Sequence, residues 1–295
     1  LISRFSGSRY FSIRRYLDTY RDLVAAIDSG KTLAALVVPA GFASELAAGR
    51  PVSVQWIIDG SDANTATIAM GYAESIVRTH SQHLALQSLR LPPGAAGFPL
   101  EMEPRVWFNP DLHSRNFIVP GLIAVIMMVL SALLTSLTIA REWERGTMEQ
   151  LISTPIRGPE LIIGKLAPYF AIGLFDVLIA VLMSRYLFNV PLRGSILLLA
   201  GMSAIFTIGT LGMGILISIV ARNQLLATQM AMMLTFLPSF LLSGFMFAIT
   251  NMPPALQVIT HAVPARYFIK LLRGIYLKGV GLDVLAYEAL FLTLF

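Results

Sequence analysis

The sequence predicts an α-helical polytopic membrane protein with a mixed α/β domain at its N-terminal side. Three observations carry that reading. Hydrophobic residues make up 56% of the 295-residue chain and charged residues only 13%, against about 25% charged in soluble globular chains. The second part of the chain holds uncharged runs of the ~20 residues that a membrane helix needs. Residues 1–113 instead alternate short apolar runs with amphipathic stretches, punctuated by Gly and Pro, as in a small sheet covered by helices.

The domain 1–113 reads element by element. Tyr10 to Arg14 is a candidate strand. Asp18 is placed to cap a helix that carries Leu23, Val24 and Ile27 on one face and stops at Gly30. Leu33 to Val38, ended by Pro39, has the form of a buried strand. Phe42 to Ala48 reads as a short helix, and Gly49-Arg50-Pro51 as a break. Val52 to Ile58 is a second strand, closed by the turn signal Asp59-Gly60. A long helix is expected from Ala63 to Leu89. Pro92, Pro93, Gly94, Gly97 and Pro99 make a loop, and Met102 to Phe108 returns as a strand.

The membrane domain, 114–295, follows. Spans are expected at about 117–140, 166–184, 195–221 and 225–250, with a partial apolar run at 284–295. Both ends of the chain read as cut, at Leu1 and within the last apolar run. Arg222-Asn223-Gln224 is a minimal polar turn between two spans. Residues 251–283 are mixed, with Pro253, Pro254, Pro264 and the cations Arg266, Lys270, Arg273 and Lys278.

Between the first two spans lies a charged island, Arg141 to Ile156. Trp143, Met148, Leu151 and Ile152 have spacings that give one apolar helical face, and Glu142 and Arg145 are three apart and able to pair. Pro155 is expected to end that helix. The periodicity fits an interfacial amphipathic loop with Trp143 at the headgroups as well as it fits a docking helix.

Other motifs are weaker. Gly158 to Leu166 superficially resembles a phosphate loop, but its glycines are spaced one residue too far and Leu166 stands where Ser or Thr would hold magnesium. Gly209, Gly212 and Gly214 read as close-packing positions in a span. Asp176 is the one acid in a span; it serves either a transport path or a structural hydrogen bond. Pro238, Ser243 and Gly244 weaken the fourth span and allow a bend. Met127, Met128, Met213, Met230, Met232 and Met233 offer adaptable apolar surface. His80 and His83, three apart on the long helix, have the spacing of a metal pair but no evident third ligand, and fit a solvated helix face better. The net charge of +5 requires no nucleic acid, and the lack of cysteine excludes disulfides, thiolate metal sites and cysteine nucleophiles.

Four stretches carry a resemblance. REWERGTMEQLISTP with LIIGK, LPSFLLSGFMFAITNMP (237–253), VPARYFIKLLRGIYLKG (263–279) and IIDGSDANTATIAMGY (57–72) resemble the type-2 ABC exporter permease, in its bacterial multidrug-efflux branch with a large extracytoplasmic domain. The matches run from Ile57 to Gly279. The resemblance implies six spans, of which the first would lie before Leu1 and the last would be cut. It implies that residues 1–113 are extracytoplasmic, that 141–160 is a cytoplasmic coupling segment, and that 251–283 is an outer re-entrant segment. Charge bias alone does not give this orientation: the outer connections would hold more Lys and Arg than the inner ones.

By the same resemblance, Glu142, Trp143, Arg145, Met148, Glu149, Leu151 and Ile152 are the ATPase-coupling residues. Asp176, Pro238, Ser243 and Gly244 are candidates for the transport path. No catalytic, cofactor or metal residue is expected in this chain; ATP and magnesium belong on a partner ABC ATPase subunit. Further expected partners are a second permease copy (identical or related), the lipid bilayer of the inner membrane and a periplasmic adaptor. The cargo expected is drugs or other amphiphiles. A membrane-anchored sensor or assembly factor, with the α/β domain as ligand receiver, is the competing function.

Overall fold

The computed structural model describes residues 1–48, 50, 52–87 and 100–295. It divides into two compact units, Leu1–Ser114 and Arg115–Phe295.

The first unit is built on a three-stranded mixed sheet of β1 (Ala34–Val37), β2 (Val52–Asp59) and β3 (Leu100–Trp107), in the order β1-β2-β3. β1 runs antiparallel to β2, with Ala34 opposite Ile58; β3 runs parallel to β2, with Val52 opposite Leu100. The central strand is buried on both faces. Val54, Trp56 and Ile58 meet α4 (Ala63–Gln87) through its small-residue stripe Ala66, Ala69, Ala73 and Val77. Ile57, on the opposite face, packs on Leu23 and Ile27 of α2 (Tyr20–Asp28). The alternation of β2 therefore feeds two apolar layers. Phe5, from the short α1 (Ile2–Ser6), stacks on Trp56 at 5.5 Å between ring centroids. α3 (Phe42–Ala47) bridges β1 and β2.

Two expectations are corrected here. Tyr10 to Arg14 is irregular chain; Tyr10 leaves any ladder to stack on Tyr72 at 3.8 Å, and Arg14 is exposed. The cap of α2 is Thr19, whose hydroxyl oxygen accepts from the Asp22 N–H at 3.2 Å, one residue beyond the expected Asp18. The expected end of the long helix at Leu89, the loop that follows it, and Gly49 and Pro51 lie outside the described residues.

In the second unit, four helical segments are long and apolar enough to cross a membrane. They are α5 (Ser114–Arg145), α7 (Gly158–Tyr186), α8 (Ile196–Ala221) and the segment Gln224–Leu242. α5 and α8 meet closely. A Cβ at Gly214 would lie 2.6 Å from the Ala132 carbonyl oxygen, so only glycine lets the two backbones approach there. Gly212 faces open space and has no such role.

The fourth span differs from the sequence expectation. It begins as α9 (Gln224–Ala231) and continues as two π-helical turns, Met232–Phe236 and Pro238–Leu242. It ends there, short of the expected residue 250. On one buried face the hydroxyls of Thr235, Ser239 and Ser243 each donate to the carbonyl four residues back. This back-bonding and the missing N–H of Pro238 loosen the helical ladder. Gly244, at φ +82°, then turns the chain.

The stretch after it is neither open nor wholly peripheral. α10 (Pro254–Ile259) is followed by α11 (Pro264–Arg273), which runs into a π-helical turn, Gly274–Lys278. Tyr267, Phe268, Ile269, Leu271, Ile275 and Tyr276 are fully buried. Phe268 stacks on Phe206 of α8 at 4.1 Å, and Tyr267 on Phe291 of α12 (Leu282–Leu294) at 5.2 Å. Of the basic residues in this stretch, Arg273 lies over the Phe117 ring at 3.7 Å and donates to the Gly244 carbonyl at 3.3 Å. The positive charge that marks this segment in the sequence is thus partly folded inward.

Candidate functional site

The charged island is not one helix. α5 carries its helical ladder five residues past the uncharged run and ends at Arg145. Gly146 then takes φ +72°, a conformation glycine adopts without Cβ strain. A separate six-residue helix, α6 (Thr147–Ile152), follows and is closed by Ser153, ahead of Pro155. The single apolar face expected from Trp143 to Ile152 is split between two elements.

Glu142, Trp143 and Arg145 occupy the last turn of α5, and Met148, Glu149, Leu151 and Ile152 lie on α6. The expected Glu142–Arg145 pair is replaced by a longer-range one. Lys165 of α7 donates to Glu142 Oε1 at 3.0 Å, and the Thr147 hydroxyl donates to Oε2 of the same carboxylate. One side chain thereby joins the end of α5, the start of α6 and the second turn of α7. The Glu142 and Lys165 side chains keep 28% and 20% of their exposure, so the pair is screened less than a surface ion pair. A groove of about 720 Å³ opens beside it, lined by Glu142, Thr147, Leu151, Ile156, Glu160 and Lys165. Glu160 accepts from the Arg157 N–H at 3.1 Å and fixes the entry of α7.

Trp143 also faces its own chain: the Arg222 guanidinium lies over its ring at 4.8 Å. The groups that project outward are on and after α6. Glu149 is exposed, Ile152 is 65% exposed and Ile156 49%, while Met148 and Leu151 are half-buried. Large aliphatic side chains held outward on a braced helix form an exposed apolar patch.

The transport-path candidates fall in two places. Pro238, Ser243 and Gly244 share the loosened end of the fourth span. Asp176 is half-buried on α7, one turn beyond Gly173, which packs on Thr207 of α8. Among the described residues it makes no hydrogen bond or ion pair. Gly158 to Leu166, the apparent phosphate loop, is the first turns of α7. His80 and His83 gain no third ligand among the described residues, and burial holds the His80 imidazole below its ordinary value.

Sequence reasoning passed over Lys165, Glu144, Ser218 and Gln224. Lys165 was visible as the lysine of a failed phosphate loop and the last residue of the LIIGK match, with no sign of its partner. The others have partners about 80 residues away in the chain, a distance that no local pattern spans.

The whole chain, residues 1–295, matches the family described as ABC-2 family transporter protein. It is 42% identical over 277 residues to the probable multidrug ABC transporter permease YbhS of Escherichia coli K12, covering 93% of this chain and 72% of that protein. It is 32% identical over 284 residues to the probable multidrug ABC transporter permease YbhR of the same strain, covering 96% and 75%. The inner membrane transport permease YhhJ of E. coli K12 is 28% identical over 273 residues, covering 90% and 70%. No solved structure matches the chain. The apolar helices and these likenesses agree: the chain belongs to the ABC-2 transporter family, as a multi-pass membrane permease subunit of an ABC exporter.

Proposed function

We propose that this permease forms the membrane path of an ATP-driven pump for drugs or other amphiphilic small molecules in a bacterial inner membrane. The ABC ATPase subunit that the family implies docks on α6. The observation that carries this is the exposed tip Glu149–Ile152–Ile156, held at a fixed place by the Glu142–Thr147–Lys165 contact. A helix that transmits a push needs an outward contact and an inward anchor, and α6 has both. Relatives described as multidrug permeases support the cargo class.

ATP and magnesium are held by the partner in this reading. The Gly158–Leu166 segment is regular helix from its first residue and forms no loop that could wrap a phosphate, and its amides beyond the first turn are taken by the helix ladder. Residues 1–113 are on the extracytoplasmic side, and a second permease copy, identical or related, completes the path. A periplasmic adaptor receives cargo from the outer unit. The sensor reading is not favoured, because the bacterial relatives YbhS, YbhR and YhhJ are described as permeases. Purification of the full-length permease tests the core of the proposal. An ATPase subunit is expected to accompany it in stoichiometric amount, with hydrolysis stimulated by the permease; a permease that purifies alone and leaves hydrolysis unchanged overturns the reading.

Asp176 belongs to the path. A lone carboxylate on an apolar helix costs several kcal/mol unless it meets water or a partner, and no structural partner holds it here. Asp176→Asn is expected to lower export severalfold with expression and ATPase association unchanged. Normal export by that variant, measured in proteoliposomes, removes Asp176 from the path.

A further inference from the structure

The end of α5 is tied to a second site, the turn that starts α9, and the proposed function makes no use of that tie. Glu144 lies beside the coupling residues on the last turn of α5. Its Oε2 accepts from the Gln224 backbone N–H at 3.3 Å and from the Gln224 side-chain amide at 2.7 Å. The Gln224 side-chain oxygen in turn accepts from Arg141 Nε at 3.3 Å. Gln224 is the first residue of α9, so its N–H is one that the helix itself cannot satisfy. Another such N–H, at Leu226, is taken by the Asn223 side chain at 3.2 Å. A carboxylate from a helix some 80 residues away therefore caps α9, and its charge suits the positive end of the helix dipole.

Two independent features lock the same junction. Arg222 adopts φ +52°, a left-handed conformation unusual for a residue with a Cβ, and from there its guanidinium reaches the face of Trp143. One turn earlier, the Ser218 hydroxyl of α8 accepts from the Ile139 and Ala140 N–H groups of α5 at 3.0 and 2.8 Å. α5 is thus seated on the end of α8 and on the start of α9 together. The chain beyond α9 is its loosest helical part, the two π-helical turns that end at Leu242.

We propose that Glu144 is a positioning residue: with Arg141, Trp143, Arg222 and Gln224 it clasps α9 to α5, and through it the displacement of α6 reaches the π-helical segment Met232–Leu242. The inference rests on α6 being the helix that the ATPase moves. A rigid clasp at one end of a helix and a compliant stretch at the other convert a push on the coupling element into a bend where the helix yields. The push would then act on Pro238, Ser243 and Gly244 without any direct contact between them and the ATPase.

The test uses the full-length permease with its ATPase in nanodiscs. The 295 residues hold no cysteine, so Leu237→Cys, at a position 45% exposed between the π-helical turns, accepts a polarity-sensitive fluorophore. ATP with vanadate is expected to change its emission in the parent. Glu144→Ala is expected to cut that change at least fivefold with ATP hydrolysis within twofold of the parent. The exchange Glu144→Gln with Gln224→Glu, which keeps an acceptor for the α9 amide and a carboxylate for Arg141, is expected to restore most of it. A full emission change in Glu144→Ala overturns the clasp. So does failure of the exchange to restore the change when the exchanged protein hydrolyses ATP normally. Failure of the coupling reading beneath it appears differently: Ile152→Asp would leave both ATPase binding and the emission change intact.

Discussion

Lys165→Met is expected to reduce ATP-driven transport at least tenfold while the ATPase stays bound. Methionine keeps the apolar stem of lysine and removes only its charge, so the docking tip of α6 is untouched. The Glu142 carboxylate, 28% exposed at the junction of three helices, would be left with the Thr147 hydroxyl and only the more distant charge of Arg145. Losing one partner of an ion pair at this burial costs about 1–3 kcal/mol, between the values for exposed and fully buried pairs. That is a factor of roughly 5–150 in the population of the braced arrangement. Glu142→Gln keeps one acceptor oxygen, for Lys165, and turns its amide N–H toward the Thr147 hydroxyl oxygen, so it is expected to have a smaller effect in the same direction. The reversal Glu142→Lys with Lys165→Glu is expected to recover part of the loss. Transport per ATP hydrolysed, measured in proteoliposomes at matched ATPase content, separates the outcomes; parental efficiency in Lys165→Met shows that the brace carries no force.

The same junction marks how far the sequence could be read. The spans were legible because a membrane imposes length and apolarity, and residues 117–140 satisfy both without help from any other element. β2 and α4 were legible because their apolar periods, two and about three and a half, name the faces that must be buried. The island was misread as one helix because Trp143, Met148, Leu151 and Ile152 keep a helical period across Gly146. Glycine in a helical pattern signals a break only when the tertiary structure uses its left-handed conformation, as it does here at φ +72°. The fourth span was carried too far for a similar reason. Hydropathy from Leu225 to Thr250 does not record that Thr235, Ser239 and Ser243 spend their hydroxyls on the helix's own carbonyls.

The inward-facing role of Glu142 and Trp143 could not be read at all. Both are ordinary members of a charged loop until Lys165 and Arg222 are brought beside them. Residues 251–283 read locally only as a mixed, basic stretch, and nothing in that pattern shows that their aromatic residues pack on α8 and α12. In each case the deciding partner is distant in the chain, and burial at that distance leaves no local period.

Ile152→Asp is expected to weaken ATPase binding by roughly ten- to a hundredfold and to abolish transport at ordinary protein concentrations. Ile152 is 65% exposed on a helix too short to be stable by itself, yet the fold spends a glycine turn and an ion pair to hold that helix in place. Covering a largely exposed isoleucine stabilises a contact by about 1–2 kcal/mol. A carboxylate in its place adds the cost of desolvating a charge without a partner. Glu149, also exposed, places a negative charge on the proposed docking face, so Glu149→Lys is expected to slow association and to change its dependence on salt. Ile152 makes no core contact to lose, so the variant is expected to express and melt like the parent. That separates it from Lys165→Met, where the ATPase binds and transport fails; here transport fails because the ATPase has left. Equilibrium binding of the purified ATPase to nanodisc-embedded permease reads the difference directly. Unchanged affinity in Ile152→Asp moves the docking surface off α6 and takes with it the assignment of Met148, Glu149, Leu151 and Ile152 as coupling residues.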